Sequence, residues 1–215
     1  MTLRIGLDFD NTLIDYSDVF AKVFVTESAR RDITPSELPT GKQAVKQAAI
    51  KLAGETFWMS IQGLAYGRGI IDGKLSSGVA DFLHTARTER AEIYIVSHKT
   101  EYGHFDNSKT NLRTAARDWM EAQGFFDPDG FDLHPSQLFF EGTLSKKINR
   151  ISALNLDYFI DDLTKVLRSP DFPKYTRGIW FQPQPLAHKN SKTPCYDWYS
   201  IRDLVFSNAL ASDPN

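Results

Sequence analysis

Four short clusters hold most of the side chains in this sequence whose types and spacing suit chemistry. Asp8-Phe9-Asp10-Asn11-Thr12 follows one apolar run, Ser97-His98-Lys99-Thr100 follows a second, and Asp161-Asp162 closes a third. Lys146-Lys147 opens a helical pattern just before that third run. Carboxylates crowded together repel unless a hard cation neutralises them, and Mg2+ prefers oxygen ligands while leaving room for water and phosphate. A phosphoryl group in transfer carries charge on its equatorial oxygens, which a cation, an ammonium, a hydroxyl and backbone amides stabilise. The clusters supply these parts, so the chemistry they suit is phosphoryl transfer with Mg2+ as cofactor.

For these residues to meet, the chain must bring the ends of its apolar runs together. Leu3–Phe9, Glu92–Val96 and Tyr158–Ile160 are short, rich in β-branched or aromatic residues and bounded by polar turns, as buried parallel strands are. Gln137–Phe140 and Arg177–Phe181 are expected as a fourth and a fifth strand. Helical periodicity separates them over Ser77–Arg87, Lys109–Gln123 and Ser145–Leu154. Strands alternating with helices predict an α/β fold, a doubly wound (Rossmann-like) parallel sheet flanked by helices. In such a sheet ligands collect at the carboxyl ends of strands, where all of the clustered carboxylates and Ser97 stand.

Between the first and second strands the pattern reads as helices over Tyr16–Arg30, Gly41–Ala53 and Glu55–Ala65, too long for one crossover. A small α-helical insertion over 15–74 is expected, with 1–14 and 75–215 forming the core. Asp72-Gly73-Lys74 and Ser76-Ser77-Gly78 supply the turns that return the chain. Phe57, Trp58, Met59 and Ile61 read as helix packing. The chain after Pro185 reads as a cover for the core.

Composition narrows the function classes. Lys and Arg number 25 against 27 Asp and Glu, so no overall field draws the protein toward nucleic acid or an anionic membrane. A single cysteine, Cys195, can build neither a disulfide scaffold nor a thiolate metal site. No apolar run approaches the roughly 20 residues that span a bilayer, and the first residues do not read as a secretory signal, so a cytoplasmic location is expected.

Asp8-x-Asp10-x-Thr12 after a strand, Ser97 closing another, Lys147 before a helix and then Asp161-Asp162 resemble, in order, the four motifs of the haloacid dehalogenase superfamily. The insertion falls where that family carries a helical cap. The resemblance implies that Asp8 attacks phosphorus to form an aspartyl-phosphate, and that Asp10 protonates the leaving alkoxide and then deprotonates the attacking water. It implies Mg2+ held by Asp8, the backbone carbonyl of Asp10 and one of Asp161 or Asp162. Asp162 is favoured as the direct ligand and Asp161 as its orienting neighbour. Ser97 would bind the phosphoryl group, and Lys146 and Lys147 compete to pair with Asp8 and the phosphate. Lys147 sits better beside Ile148 and Ile151. Asp10 argues against dehalogenases, which lack it, and against ion-pumping ATPases, which carry threonine there.

The resemblance therefore implies a phosphatase acting on a small phosphorylated metabolite, a sugar or polyol phosphate being the expected type. His98 and Lys99 are candidates for substrate specificity because they directly follow Ser97. His104 and Arg68 are weaker candidates, and Thr12 and Asn11 read as local caps of backbone groups. Two rival readings stand. A phosphomutase or phosphotransferase would share every motif, differing in the acceptor. A non-catalytic Mg2+-binding regulatory module, of the response-regulator receiver type, would combine similar residues but would place its acidic pair at the first strand. The order of the clusters argues against that module. The sequence leaves the oligomeric state open.

Overall fold

Ile5, Leu7, Ile95, Val96, Phe159 and Ile160 are wholly buried, as residues of strands covered on both faces must be. They lie in the three central strands of a computed structural model that describes residues 2–103, 105, 109–182 and 196–210. These strands are β1 (Arg4–Leu7), β4 (Glu92–His98) and β6 (Tyr158–Asp161), with β5 (Leu138–Glu141) and β7 (Arg177–Trp180) outside them. The sheet order is β5-β4-β1-β6-β7, and every neighbouring pair is parallel. The protein thus has the α/β, Rossmann-like parallel sheet that the alternation predicts. A minor pair, β2 (Ile14–Asp15) with β3 (Lys74–Leu75), is too short to leave a periodic signal.

The chain divides into two compact units. The first comprises residues 1–13, 75–98 and 124–215; the second comprises 14–74 and 99–123. In the first, helices α3 (Val79–Thr88), α5 (Leu144–Ala153), α6 (Thr164–Leu167) and α7 (Trp198–Leu210) accompany the sheet. Val96, Ile151, Leu156, Phe159 and Val166 form one fully buried cluster. Gly6 is demanded there by space: a Cβ at this position would stand 2.4 Å from Leu156 Cδ1 and 2.5 Å from Phe159 Cδ2. Helix α7 packs through Trp198, whose ring lies tilted to Phe82 at 4.9 Å and to Phe181 at 5.5 Å. Residues 183–195, including Cys195 and most of the Pro-rich stretch, lie outside the described residues.

Helix boundaries shift from expectation by one to three residues where a cap decides them. The strong periodicity before Gln123 begins only at Leu112 because the Asn111 side chain accepts from the Arg113 and Thr114 amides. This gives α4 (Leu112–Ala122). Thr143 likewise caps α5 through the Lys146 amide.

The second unit is helical. Besides α4 it holds α1 (Ser17–Ala29) and the span Gly41–Tyr66, here α2. This span is interrupted at Ala53 (φ −147, ψ 16) and Gly54 (φ 81, ψ −179). A straight helix would put Lys42 and Tyr66 ~36 Å apart, yet Lys42 Nζ lies 5.6 Å from the Tyr66 ring centroid. The chain therefore folds back at Gly54, whose dihedrals only glycine adopts readily. These are the two helices the sequence pattern predicts. Phe20 stacks on Trp58 at 5.5 Å and Phe24 lies 6.2 Å from Phe57, so this aromatic cluster is packing. Residues 99–123, assigned to the core by the sequence pattern, pack in this unit; Trp119 Nε1 donates to the Gly73 carbonyl at 3.0 Å. Among the described residues no helix is long and apolar enough to cross a membrane.

Candidate active site

Strand register sets the site. Leu7 pairs with Ile95 on one side and Ile160 on the other, so Asp8, Ser97 and Asp161 emerge together at the carboxyl ends of three adjacent strands. The Asp8 amide donates to the Ile160 carbonyl at 2.9 Å, which pins the backbone where it leaves the sheet. Asp8, Ser97 and Asp161 are 5%, 1% and 0% exposed.

Lys147 reaches this point from the first half of α5. Side chains four apart share a helix face, so Lys147 faces inward with Ile151, and Lys146 is left exposed. Lys147 Nζ donates to Asp8 Oδ1 and to Asp161 Oδ2, each at 2.6 Å. The other Asp161 oxygen accepts from the Leu163 amide at 2.7 Å. Thr12 Oγ1 donates to Asp8 Oδ2 at 3.3 Å. Asp10 and Asp162 are half-buried at the same strand ends. The Asp162 carbonyl accepts from Trp180 Nε1 at 3.0 Å.

The charges do not balance. Burial pulls Lys147 toward neutrality, but Asp8 and Asp161 more than reverse this and hold its ammonium above the usual lysine range. Burial pushes Asp161 up to about 6, Asp8 adds to the rise, and Lys147 opposes it. One ammonium thus faces two buried carboxylates, with Asp162 beside them. Asp8, Asp161 and Asp162 each offer a carboxylate oxygen within 4.8 Å of the others. Hard oxygen donors with excess negative charge fit a divalent cation such as Mg2+. Both Asp161 oxygens are engaged, one by Lys147 and the other by the Leu163 amide.

This imbalance has a measurable consequence. A carboxyl group whose folded pKa lies above its unfolded value binds protons more tightly when folded, so its contribution to stability falls as pH rises through about 6. In chelator, the folding stability is expected to drop between pH 5 and pH 7.5, by about 1 kcal/mol from this group. Mg2+ should stabilise more at pH 7.5 than at pH 5. A flat profile in thermal melts, with no Mg2+ effect, would remove the charge argument.

The remaining sequence candidates are placed differently. His98 is exposed at the end of β4, and Lys99 is buried within the helical unit. Arg68 is exposed, 3.9 Å from Glu27. His104 lies outside the described residues. Thr12, expected to bond local backbone, instead points its hydroxyl at Asp8; the four-residue spacing from Asp8 was the available signal. No sequence signal marked the Leu163 amide or the Trp180 indole.

No family model and no curated protein matches the sequence. Solved structures do. A predicted phosphatase from Clostridium acetobutylicum aligns at TM-score 0.59 and 13% identity over 96% of this chain and 99% of its own. A HAD family hydrolase from Deinococcus radiodurans, with bound phosphate and sodium, aligns at TM-score 0.58 and 11% identity over 99% of both chains. The fold is that of the haloacid dehalogenase hydrolases. Protein tyrosine kinase A of Mycobacterium tuberculosis also aligns with this chain, at TM-score 0.59 and 12% identity over 95% of this chain and 98% of its own. The fold thus leaves hydrolysis and transfer open, and the site residues must carry the argument.

Proposed function

We propose that this protein is a Mg2+-dependent phosphatase that hydrolyses a small-molecule phosphomonoester through an aspartyl-phosphate on Asp8. The observation that carries this reading is the buried Lys147 ammonium held between Asp8 and Asp161 at the head of the sheet. A lysine so placed orients Asp8 as a nucleophile and offers positive charge to an incoming phosphate.

In the first step an Asp8 oxygen bonds to phosphorus as the ester oxygen–phosphorus bond breaks, and Asp10 gives its proton to the leaving alkoxide. In the second, Asp10 takes a proton from water as the water oxygen bonds to phosphorus and the bond to Asp8 breaks, releasing inorganic phosphate. Ser97 would hydrogen-bond the phosphoryl oxygens, and the Thr12 hydroxyl would hold Asp8 in orientation. Mg2+, held by Asp8, the Asp10 carbonyl and Asp162, would supply charge neutralisation between nucleophile and phosphate. The helical unit would serve as a cap, and a sugar or polyol phosphate in the cytoplasm is the substrate type we favour. Transfer to a second hydroxyl instead of water needs the same residues, and the likeness in fold to a protein named as a kinase keeps that acceptor in view.

The test is inorganic phosphate release from a panel of sugar, polyol and nucleotide monophosphates, with Mg2+ and with excess chelator. Metal-dependent release is expected; none across the panel would reject the phosphatase reading. In the same assay Asp162→Asn should raise the half-saturating Mg2+ concentration at least ~10-fold. Asp161→Asn should raise that concentration less, because this carboxylate is engaged by Lys147 and the Leu163 amide. The reverse result would exchange the two roles.

A further inference from the structure

Two indoles hold the backbone that carries the site carboxylates. Trp180 Nε1 donates to the Asp162 carbonyl at 3.0 Å, and Trp198 Nε1 donates to the Thr12 carbonyl at 3.1 Å. A tryptophan N–H finds a partner when its ring is buried. Here both partners are main-chain carbonyls, in the loops that follow β6 and β1.

What these bonds fix follows from the planarity of the peptide unit, which leaves each residue only two soft backbone torsions. The Asp162 carbonyl and the Leu163 amide are the two ends of one peptide plane. Trp180 holds the first, and the second donates to Asp161 Oδ1 at 2.7 Å. The plane before Asp162 is held as well, since the Phe181 amide donates to the Asp161 carbonyl at 3.0 Å. With both flanking planes fixed, the Asp162 side chain keeps only its own torsions. Thr12 repeats the pattern. Trp198 holds its carbonyl, the Leu13 amide on the same plane donates to the Phe9 carbonyl at 3.0 Å, and the Thr12 hydroxyl donates to Asp8 Oδ2. The two indoles are also tied to each other. Trp180 precedes Phe181, whose ring lies 5.5 Å from that of Trp198, and the Tyr196 amide donates to the Trp180 carbonyl at 3.0 Å.

Asp8, Asp161 and Asp162 hold carboxylate oxygens within 4.8 Å of one another, and like charges that close drive the loops apart unless the backbone beneath is anchored. We infer that Trp180 and Trp198 are positioning residues that keep the Asp162 and Asp8 carboxylates at cation-binding separation against their mutual repulsion. This rests on the metal-binding part of the phosphatase reading and not on hydrolysis.

The test replaces each indole with 3-benzothienylalanine, in which sulfur takes the place of the N–H while the ring keeps its shape, so that the fully buried Trp198 is not exchanged for a cavity. Mn2+, which suits the same oxygen donors, is titrated without substrate, and the free ion is read by electron paramagnetic resonance. Either replacement is expected to weaken Mn2+ binding roughly ten-fold, with the unfolding midpoint in chelator lowered by no more than about 4 °C. Trp119 is the control. Its Nε1 donates to the Gly73 carbonyl in the helical unit, so the same replacement there should leave Mn2+ affinity unchanged. Unchanged affinity after replacement at Trp180 or Trp198, an equal loss at Trp119, a larger fall in midpoint, or no Mn2+ binding by the unmodified protein overturns the proposal. If the expected losses appear while the unmodified protein releases no phosphate from any ester, the positioning roles stand and the phosphatase reading falls. If phosphate is released and both replacements bind Mn2+ as before, the reverse holds.

Discussion

Replacing Asp8 with asparagine is expected to lower phosphate release at least about 10³-fold, equivalent to roughly 4 kcal/mol of lost transition-state stabilisation. The amide cannot form the aspartyl-phosphate, whatever else in the site remains. Folding should survive, for a reason particular to this geometry. Lys147 keeps its 2.6 Å partner in Asp161, and one negative charge leaves a group that repels itself. The unfolding midpoint in chelator is thus expected to stay level or rise. Near wild-type turnover in Asp8→Asn would reject Asp8 as nucleophile, and a large fall in midpoint would show that Asp8 is structural in the first place.

The second large effect is expected at Lys147. Lys147→Met fills most of the same volume but leaves two buried carboxylates facing each other without their shared cation. Breaking a buried ion pair by removing one partner costs about 3–5 kcal/mol. In a chain of this length that is a midpoint fall of roughly 6–20 °C, and phosphate release should be lost with it. Adding Asp161→Asn removes one of the stranded charges, so the double variant should recover at least ~1 kcal/mol relative to the sum of the single effects. A double-variant cycle that shows additivity would mean the two groups do not interact as their contact implies. Mg2+ should partly restore Lys147→Met, because a cation near Asp8 and Asp162 replaces some of the missing positive charge.

Much of the fold was legible because the relevant signals are local. Leu3–Phe9, Glu92–Val96 and Tyr158–Ile160 are apolar runs bounded by polar turns, and they fall within a residue or two of β1, β4 and β6. The two helices on either side of Gly54 could also be read, since glycine at that position interrupts two apolar periodicities. The choice between Lys146 and Lys147 could be argued from helix spacing to Ile151. What escaped were contacts over long sequence separations. Nothing local says that residues 99–123 pack with 14–74, because that depends on Trp119 reaching the Gly73 carbonyl. Nor does any pattern tell that the Thr12 carbonyl accepts from Trp198 Nε1, 186 residues away.

The sequence by itself determined which residue types stand where: four carboxylates and a serine at the strand ends and a lysine at a helix start, in an order that suits phosphoryl transfer. It could do so because strand periodicity and helix spacing are properties of neighbouring residues. Only the tertiary structure decided how those groups divide their charge. Strand register sets Asp8 beside Asp161, and α5 delivers one ammonium to both. Burial then leaves a negative excess, so that the distribution of charge, and with it the case for a divalent cation, follows from distances between residues far apart in the chain.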